Sequence, residues 1–467
     1  MKKPFAVLCL LLIFKTSFSQ DITVPLSVAT GNYGMGTSVQ RDYETVGINP
    51  ANLGIYDFES SMFSIGIAGV NGFIHSDAIN GSSILNGLFN NQNFTTEDKV
   101  KAALDFASKG LNSAATVQPF AIAVQIPKIG GLAFNWRQNF STSFKLNPFM
   151  SELAFVGVNA SYFDTVYTDN MNNLIGVADS AKMLSDLLDG TYVKYNWTQE
   201  FDFSYGRKII ESDALKLYAG ATVKVLQGIA ILDAEFANGA ATGYSATTPF
   251  MDVNYGNVSL QHPITDNGIK PVGKGMGYDF GINAKLFDLV NVAASVTDIG
   301  KISWTGNSMT LQDIPLDTLQ NFTGWNSFNF SNNLGDVFDA NALYSWGTGV
   351  DRTITLPTKL HVGASINPIP NLVLSVDAVQ PFNGVPGNLE NTMFALGGSF
   401  QPKPSFGIST GIVTGGQTDI DVPLGLSFGF GPLQVIQLGI STGDVTSFLT
   451  HTKPTRSIAV EFIRIQF

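Results

Sequence analysis

Alternation of apolar and polar positions is the dominant pattern in this chain. From Leu215 to Val225 the odd positions are Leu215, Leu217, Ala219, Ala221, Val223 and Val225, and the even ones include Lys216, Tyr218, Thr222 and Lys224. From Met276 to Leu286, Met276, Tyr278, Phe280, Ile282, Ala284 and Leu286 alternate with Gly277, Asp279, Gly281, Asn283 and Lys285. Successive side chains of a strand point to opposite faces, so each stretch has one apolar face and one polar or tiny face. The pattern recurs at Phe120–Ile126, Leu132–Arg137, Lys359–Ile366 and Leu372–Asp377. It predicts about fourteen strands, near 59–70, 116–126, 131–144, 192–206, 213–228, 274–286, 289–300, 355–366, 370–381, 390–401, 404–414, 418–430, 432–442 and 455–467. Many reach the roughly 9–11 residues that a tilted strand needs to cross a bilayer.

The links alternate too. Those after even-numbered strands are short, such as 128–130, 208–212 and 287–288. Those after odd-numbered strands are mostly long, about 71–115, 145–191, 229–273 and 301–354. Short turns at one end and long loops at the other characterise outer-membrane barrels, with the short turns on the periplasmic side. The predicted fold is therefore all-β: a 14-stranded antiparallel transmembrane barrel, with a secreted β-sandwich or propeller as the alternative. A propeller would repeat every 40–50 residues or so, and no such period is evident.

Composition sharpens this picture. Only 13% of the 467 residues are charged, against 44% hydrophobic, whereas soluble domains carry roughly 25% charged residues. A strand face against lipid needs no charge, which accounts for the deficit. No apolar run after residue 20 reaches about 18 residues, so helical spans are not expected. Net charge is −11, which argues against nucleic-acid binding.

The N-terminus reads as a secretory signal peptide over 1–19. Lys2 and Lys3 precede the apolar run Phe5–Phe14, and Ser17 and Ser19 stand at −3 and −1. Cys9 is the only cysteine, so the mature chain would hold no disulfide or thiolate metal site. Residues 20–57 precede the first long strand and are rich in Gly, Thr and Asn; Pro50 holds Asn49 extended. Unpaired backbone cannot face lipid, so this segment belongs in the lumen or the periplasm, as a plug or as a loose tail. The barrel proper is then 58–467. At the far end Ile463, Ile465 and Phe467 share one face, which resembles the C-terminal signal read by the barrel-assembly machinery. Strict alternation places Glu461 on that lipid-facing side too, near the interface.

The stretch from Gly34 to Gly54, with its Asn49-Pro50-Ala51 element, resembles the opening of FadL/TodX-type barrels. Gly277-Tyr-Asp279-Phe-Gly281 and Asp298-Ile-Gly300 look like middle strands of distant relatives in that superfamily, which includes the PorV-like branch serving type IX secretion. The resemblance implies an N-terminal hatch inside the barrel and passive uptake of a small hydrophobic solute such as a fatty acid. The alternative is a docking or secretion-accessory barrel acting through its extracellular loops, with a protein partner there.

Chemistry is sparse. His75, His262, His361 and His451 are scattered, with three expected in loops, and Gly273, Gly275 and Gly277 lack the strand–turn–helix context of a nucleotide loop. No catalytic constellation, cofactor or metal site is evident, and an enzyme is not expected. The predicted inner faces carry Glu200, Asp202, Asp279 and Asp377, with Arg137, Lys194, Lys216, Lys224, Lys285, Lys359 and His361. The simplest reading is a polar network bracing wall and hatch; a ligand or selectivity site is the sharper one. Two loop helices are predicted. One is capped by Thr96, with Val100, Ala103, Leu104 and Ala107 forming an apolar face; the other spans Ala181–Leu188, with Met183, Leu184, Leu187 and Leu188 apolar.

Overall fold

The computed structural model describes residues 36–55, 62–76, 94–107, 109–247, 271–311, 313–326, 344–385, 388–389, 391–403, 405–416, 418–431, 435–450 and 455–466. The expected signal peptide, His262, His451 and Phe467 lie outside them. No helix among the described residues is long and apolar enough to cross a membrane.

The chain forms a closed antiparallel barrel of fourteen staves. The first five are β1 (Phe63–Ser76), β2 (Gly110–Ile126), β3 (Gly130–Lys145), β6 (Tyr192–Glu211) and β7 (Leu215–Ala237). Then follow β9 (Gly273–Leu286) and β10 (Val290–Leu311). The eighth stave is composite: β12 (Tyr344–Thr355) pairs with the distal half of β10, and β13 (Lys359–Ile369) with the proximal half. Pro357 sits in the break and has no N–H to continue a ladder. The wall continues through β14 (Leu372–Pro381), β15 (Met393–Lys403) and β16 (Phe406–Gly415). It ends with β17 (Thr418–Asp421) and β18 (Leu424–Phe430) as one stave, β19 (Ile436–Thr442) and β20 (Thr455–Gln466). Pairing of β20 with β1, as in Ile67↔Ile463, closes the ring and leaves no free edge.

Several strands run further than alternation alone indicates. β7 and β10 continue to 237 and 311, and β8 (Ala240–Thr247) hairpins onto the distal half of β7. Residues expected to be loop thus extend the wall beyond the long-loop end. Also at that end, β4 (Thr165–Thr168), β5 (Leu174–Met183) and β11 (Pro315–Gln320) form a separate small sheet. β5 occupies the start of the expected helix at 181–188, which shortens to α3 (Leu184–Leu188).

The outward face is apolar. Phe203, Phe280, Ile282, Phe394, Leu396, Ile412 and Phe462 are each more than half exposed, and rings pair across strands, as in Phe134–Phe203 at 5.2 Å. A continuous apolar exterior of this extent is a lipid-facing surface. The inward face is small and polar, with Asp202, Asp279, Asn283 and Lys359 fully buried.

Three aligned irregularities bend β20, β1 and β2. Ile67 and Ala68 both face outward, with Ala68 at φ +59°. β2 shifts register between Val117 and Phe120, and Phe462 and Ile463 both face outward on β20. An extra residue in one strand reverses the alternation beyond it. Glu461 is therefore buried inside the barrel (1% exposed), not on the lipid side.

The long-loop end is capped. α1 (Thr96–Phe106) and α2 (Pro148–Val156) pack together, Phe106 lying 5.4 Å from Phe155. They rest on Leu111, Phe144, Val193, Phe236 and Met309 from five strand ends. The N-cap of α1 is Thr95, one residue before the expected Thr96, and the buried residues are Ala102, Ala103 and Phe106. Val100 and Leu104 are exposed, because the helix turns its aromatic side to the cap cluster. Thr95 and Asp98 form a reciprocal capping box. The Thr95 hydroxyl and N–H donate to Asp98 and hold its carboxyl below the usual aspartate range. A depressed pKa stabilises above the unfolded value and is lost as pH falls through the folded one. Amide protection at the start of α1 is therefore expected to hold above about pH 5 and to decline below about 3.9, as read by hydrogen exchange; a flat profile would show that the cap contributes nothing.

Candidate functional site

Residues 36–55 run along the inward faces of the wall as two short 3-10 turns, Asp42–Thr45 and Pro50–Gly54. Asn49 and Pro50 shape the second. Proline fits the first helical position, and Asn49 Oδ1 accepts from Ala51 N at 3.1 Å. Asn49 Nδ2 donates to the carbonyls of Thr37 (3.0 Å) and Ile282 (3.1 Å). Ala51 is fully buried against Ile55 and Tyr218. The wall meets this segment with glycines where it comes closest. A Cβ on Gly220 would stand 2.4 Å from the Pro50 carbonyl, and one on Gly206 2.3 Å from its oxygen.

Five neighbouring strands bring charges to one height, because register places Arg137 opposite Glu200 and Asp202 opposite Lys224. Arg137 Nη2 donates to Glu200 (2.9 Å) and to Asp202. Lys224 Nζ lies 2.5 Å from Asp298, 3.3 Å from Asp279 and 3.5 Å from Glu200. Asp298 was not among the expected lumen residues. It sits at φ +58° in a bulge between Val296 and Ile299, and its N–H donates to Asp279 at 2.8 Å. A second group joins the inner segment to β20. Arg464 contacts Asp42 (2.9 Å) and Glu44 (3.1 Å), and the Tyr43 hydroxyl donates to Glu461. Sequence reasoning missed this group as well. The signal available was a carboxylate, Glu461, at an apparently lipid-facing position, where such a charge is costly.

The other expected residues are dispersed. Lys359 is buried opposite Thr297, whose hydroxyl lies 3.2 Å from His361 Nε2. Asp377 accepts from the Thr37 N–H at 3.0 Å, bracing the inner segment from β14. Lys194 pairs with Glu235 (3.0 Å) near the long-loop rim. Lys216 and Lys285 both reach Asp288 in the short β9–β10 turn, at 2.7 and 3.5 Å. The hydrogen bond from Lys216 holds the Asp288 carboxyl below its ordinary range. These three lysines therefore sit at the barrel rims, outside the central network: strand alternation fixes the face of a residue but not its height. His75 lies on β1, not in a loop. Ile463 and Ile465 lie on β20 within the pairing that closes the ring.

Between the inner segment and the helical cap lies a cavity of about 200 Å³. Its lining includes the charged Glu44, Arg137, Glu200, Lys224 and Asp298 and the apolar Phe140, Leu226, Ile302, Trp304 and Leu356. Trp304 is 1% exposed, packs on Gly228 and Gly273, and its indole N–H has no partner. Neither Glu44 carboxylate oxygen receives a hydrogen bond, despite the ion pair with Arg464. Among the described residues no group of three or more His, Cys, Asp or Glu is arranged to hold a metal ion.

At low identity, the chain is similar over nearly its whole length to several solved barrels. These include a TodX deltaS2S3 mutant monoaromatic hydrocarbon channel (12% identity, 96% of this chain and 99% of that one, TM-score 0.49). They also include the Ralstonia pickettii toluene transporter TbuX (12%, 95% and 98%, 0.45) and the Pseudomonas putida toluene transporter TodX (13%, 97% and 97%, 0.45). No curated protein matches. The profile described as "Family of unknown function (DUF5723)" matches residues 57–438. That span takes in the barrel from its first strand into its penultimate one, and the chain therefore belongs to the DUF5723 family.

Proposed function

We propose that this outer-membrane-type barrel admits one small, partly apolar solute to the chamber above the inner segment, and that residues 36–55 act as the gate beneath it. The observation that carries this is the chamber itself, lined by aromatic and aliphatic side chains together with polar and charged groups, a mixture that can hold and orient a small molecule. A cavity of about 150 Å³ takes up benzene, so one ring or a short chain matches the volume here. A long-chain fatty acid exceeds it. Passage onward requires the inner segment to move, since the Asn49–Ala51 turn packs against β7 and β9.

Purification in mild detergent followed by native mass spectrometry tests this reading. A small solute bound one to one is expected, and Leu226→Trp, which fills the chamber, should lose it while the barrel still resists unfolding in cold detergent. A chamber that never retains or accepts a small solute would overturn the reading. A second reading, docking of a protein at the long-loop end, draws on Val166 and Tyr167, exposed on β4, and Met171, exposed in the turn between β4 and β5. A stoichiometric protein in the same preparation, lost on replacing those three by Ser, would favour it.

A further inference from the structure

The outer surface of four neighbouring strands changes character toward the long-loop end. Lower down it is apolar: Val223 on β7, Tyr278 and Phe280 on β9 and Ile299 on β10 stand exposed on the lipid-facing side. The next cross-strand row begins with Val225 and Met276, also exposed, and continues with Lys301 on β10 and Thr355 on β12. The row beyond that is wholly polar, with Gln227, Lys274, Ser303 and Thr353 in register across β7, β9, β10 and β12. Lys274, Lys301, Ser303, Thr353 and Thr355 are all exposed, while the alternating Gly273 and Ile302 are buried, so the lysines lie on the outside of the wall.

The two lysines are diagonal neighbours. Lys301 pairs with Met276 and Lys274 with Ser303, a spacing of about 7–8 Å between such positions. Neither forms an ion pair among the described residues. An acid of the same face, Asp351, lies one row further on and accepts from the Thr305 hydroxyl at 2.8 Å. Like charges placed together on a sheet repel, and an anion seated between them removes that repulsion. The hydroxyls of Ser303 and Thr353, 2.9 Å apart, stand in the same row and add donors for phosphate oxygens. A cation on the lipid-facing side of a barrel is costly at the midplane and nearly free at the interface. Lys274 and Lys301 therefore mark where acyl chains give way to headgroups, and the long-loop end belongs to the outer leaflet.

We propose that this patch binds a phosphorylated lipid of the outer leaflet. Its phosphate lies between Lys274 and Lys301, the rest of the headgroup meets Ser303, Thr353 and Thr355, and the acyl chains run along Val225, Met276 and Tyr278. Charge complementarity calls for the phosphate. Continuity with the lipid-facing wall, which begins at the adjoining residues, calls for a lipid and not a soluble anion. The patch lies outside the barrel, so it stands or falls separately from the solute chamber.

Native mass spectrometry of the full-length protein in a neutral detergent, titrated with diphosphoryl lipid A, tests this. Binding is expected to be at least about ten-fold tighter than for the same lipid stripped of both phosphates. Lys274→Gln with Lys301→Gln should abolish that preference. Lys274→Arg with Lys301→Arg should keep it, which separates loss of charge from damage to the wall. Lys216→Gln with Lys285→Gln, at the opposite rim, should leave it unchanged, and excess inorganic phosphate should not displace the lipid. A preference that survives the double Gln variant, or equal binding of the two lipids, overturns the proposal. Displacement by inorganic phosphate also overturns it, since the patch would then be a plain anion site.

Discussion

Arg464→Met is expected to destabilise the barrel by about 3–5 kcal/mol, the usual effect of removing one partner from a buried ion pair. Arg464 is 3% exposed and forms ion pairs with both Asp42 and Glu44. Without it, those two carboxylates and Glu461 lie buried with no cation between them. Urea unfolding in detergent reads the loss as a lowered midpoint. The inner segment should also become a protease target, since Arg464 ties it to β20. Adding Asp42→Asn and Glu44→Gln removes the uncompensated charge and should restore much of the stability. If the triple variant is no more stable than the single one, packing of the guanidinium and not charge is what matters. A midpoint that does not move at all would refute the role of the pair.

Gly220→Val should open the barrel without unfolding it. Valine suits a strand, but its Cβ would come within 2.4 Å of the Pro50 carbonyl carbon and oxygen and 2.6 Å of Ala51 N. The contacts are backbone, which cannot swing aside. Overpacking of this kind costs about 1–3 kcal/mol. If the barrel itself holds, that cost falls on the packed position of residues 36–55 and raises their displaced population roughly 5- to 150-fold. Planar-bilayer recordings are expected to show a closed or rarely open parent and a variant with frequent ion-conducting openings. Gly72→Val on β1, where the nearest atom to a Cβ would be 3.4 Å away, is the control and should stay closed. Equal conductance in all three would remove the inner segment as a gate.

Glu461 and Asp298 show where reading the chain stops short. Alternation identifies the polar faces of β6, β7 and β9 well enough to name Glu200, Asp202, Lys224 and Asp279, and register then brings them together. It misplaces Glu461 and omits Asp298, because each lies at a bulge that shifts the phase by one residue. A bulge leaves little trace in a list of residue types. Its mark here is indirect: a carboxylate at a position that would otherwise face lipid. The chamber is less legible still. Trp304 comes from the distal half of β10, a stretch expected to be loop, and Leu356 from the break between β12 and β13.

The short-range pattern alone determines the closed all-β wall, the apolar exterior and the contrast between short turns and long loops. Each follows from a period of two and from turn residues, and both are local properties of the chain. Which polar side chains meet, which lysines sit at a rim and which at the centre, and where the inner segment lodges are decided only when fourteen staves are set side by side. Height in the barrel depends on register and bulges accumulated around the ring. The buried charge clusters and the chamber beside them are products of that closure, since residues as distant as Glu44, Lys224 and Arg464 come together only inside it.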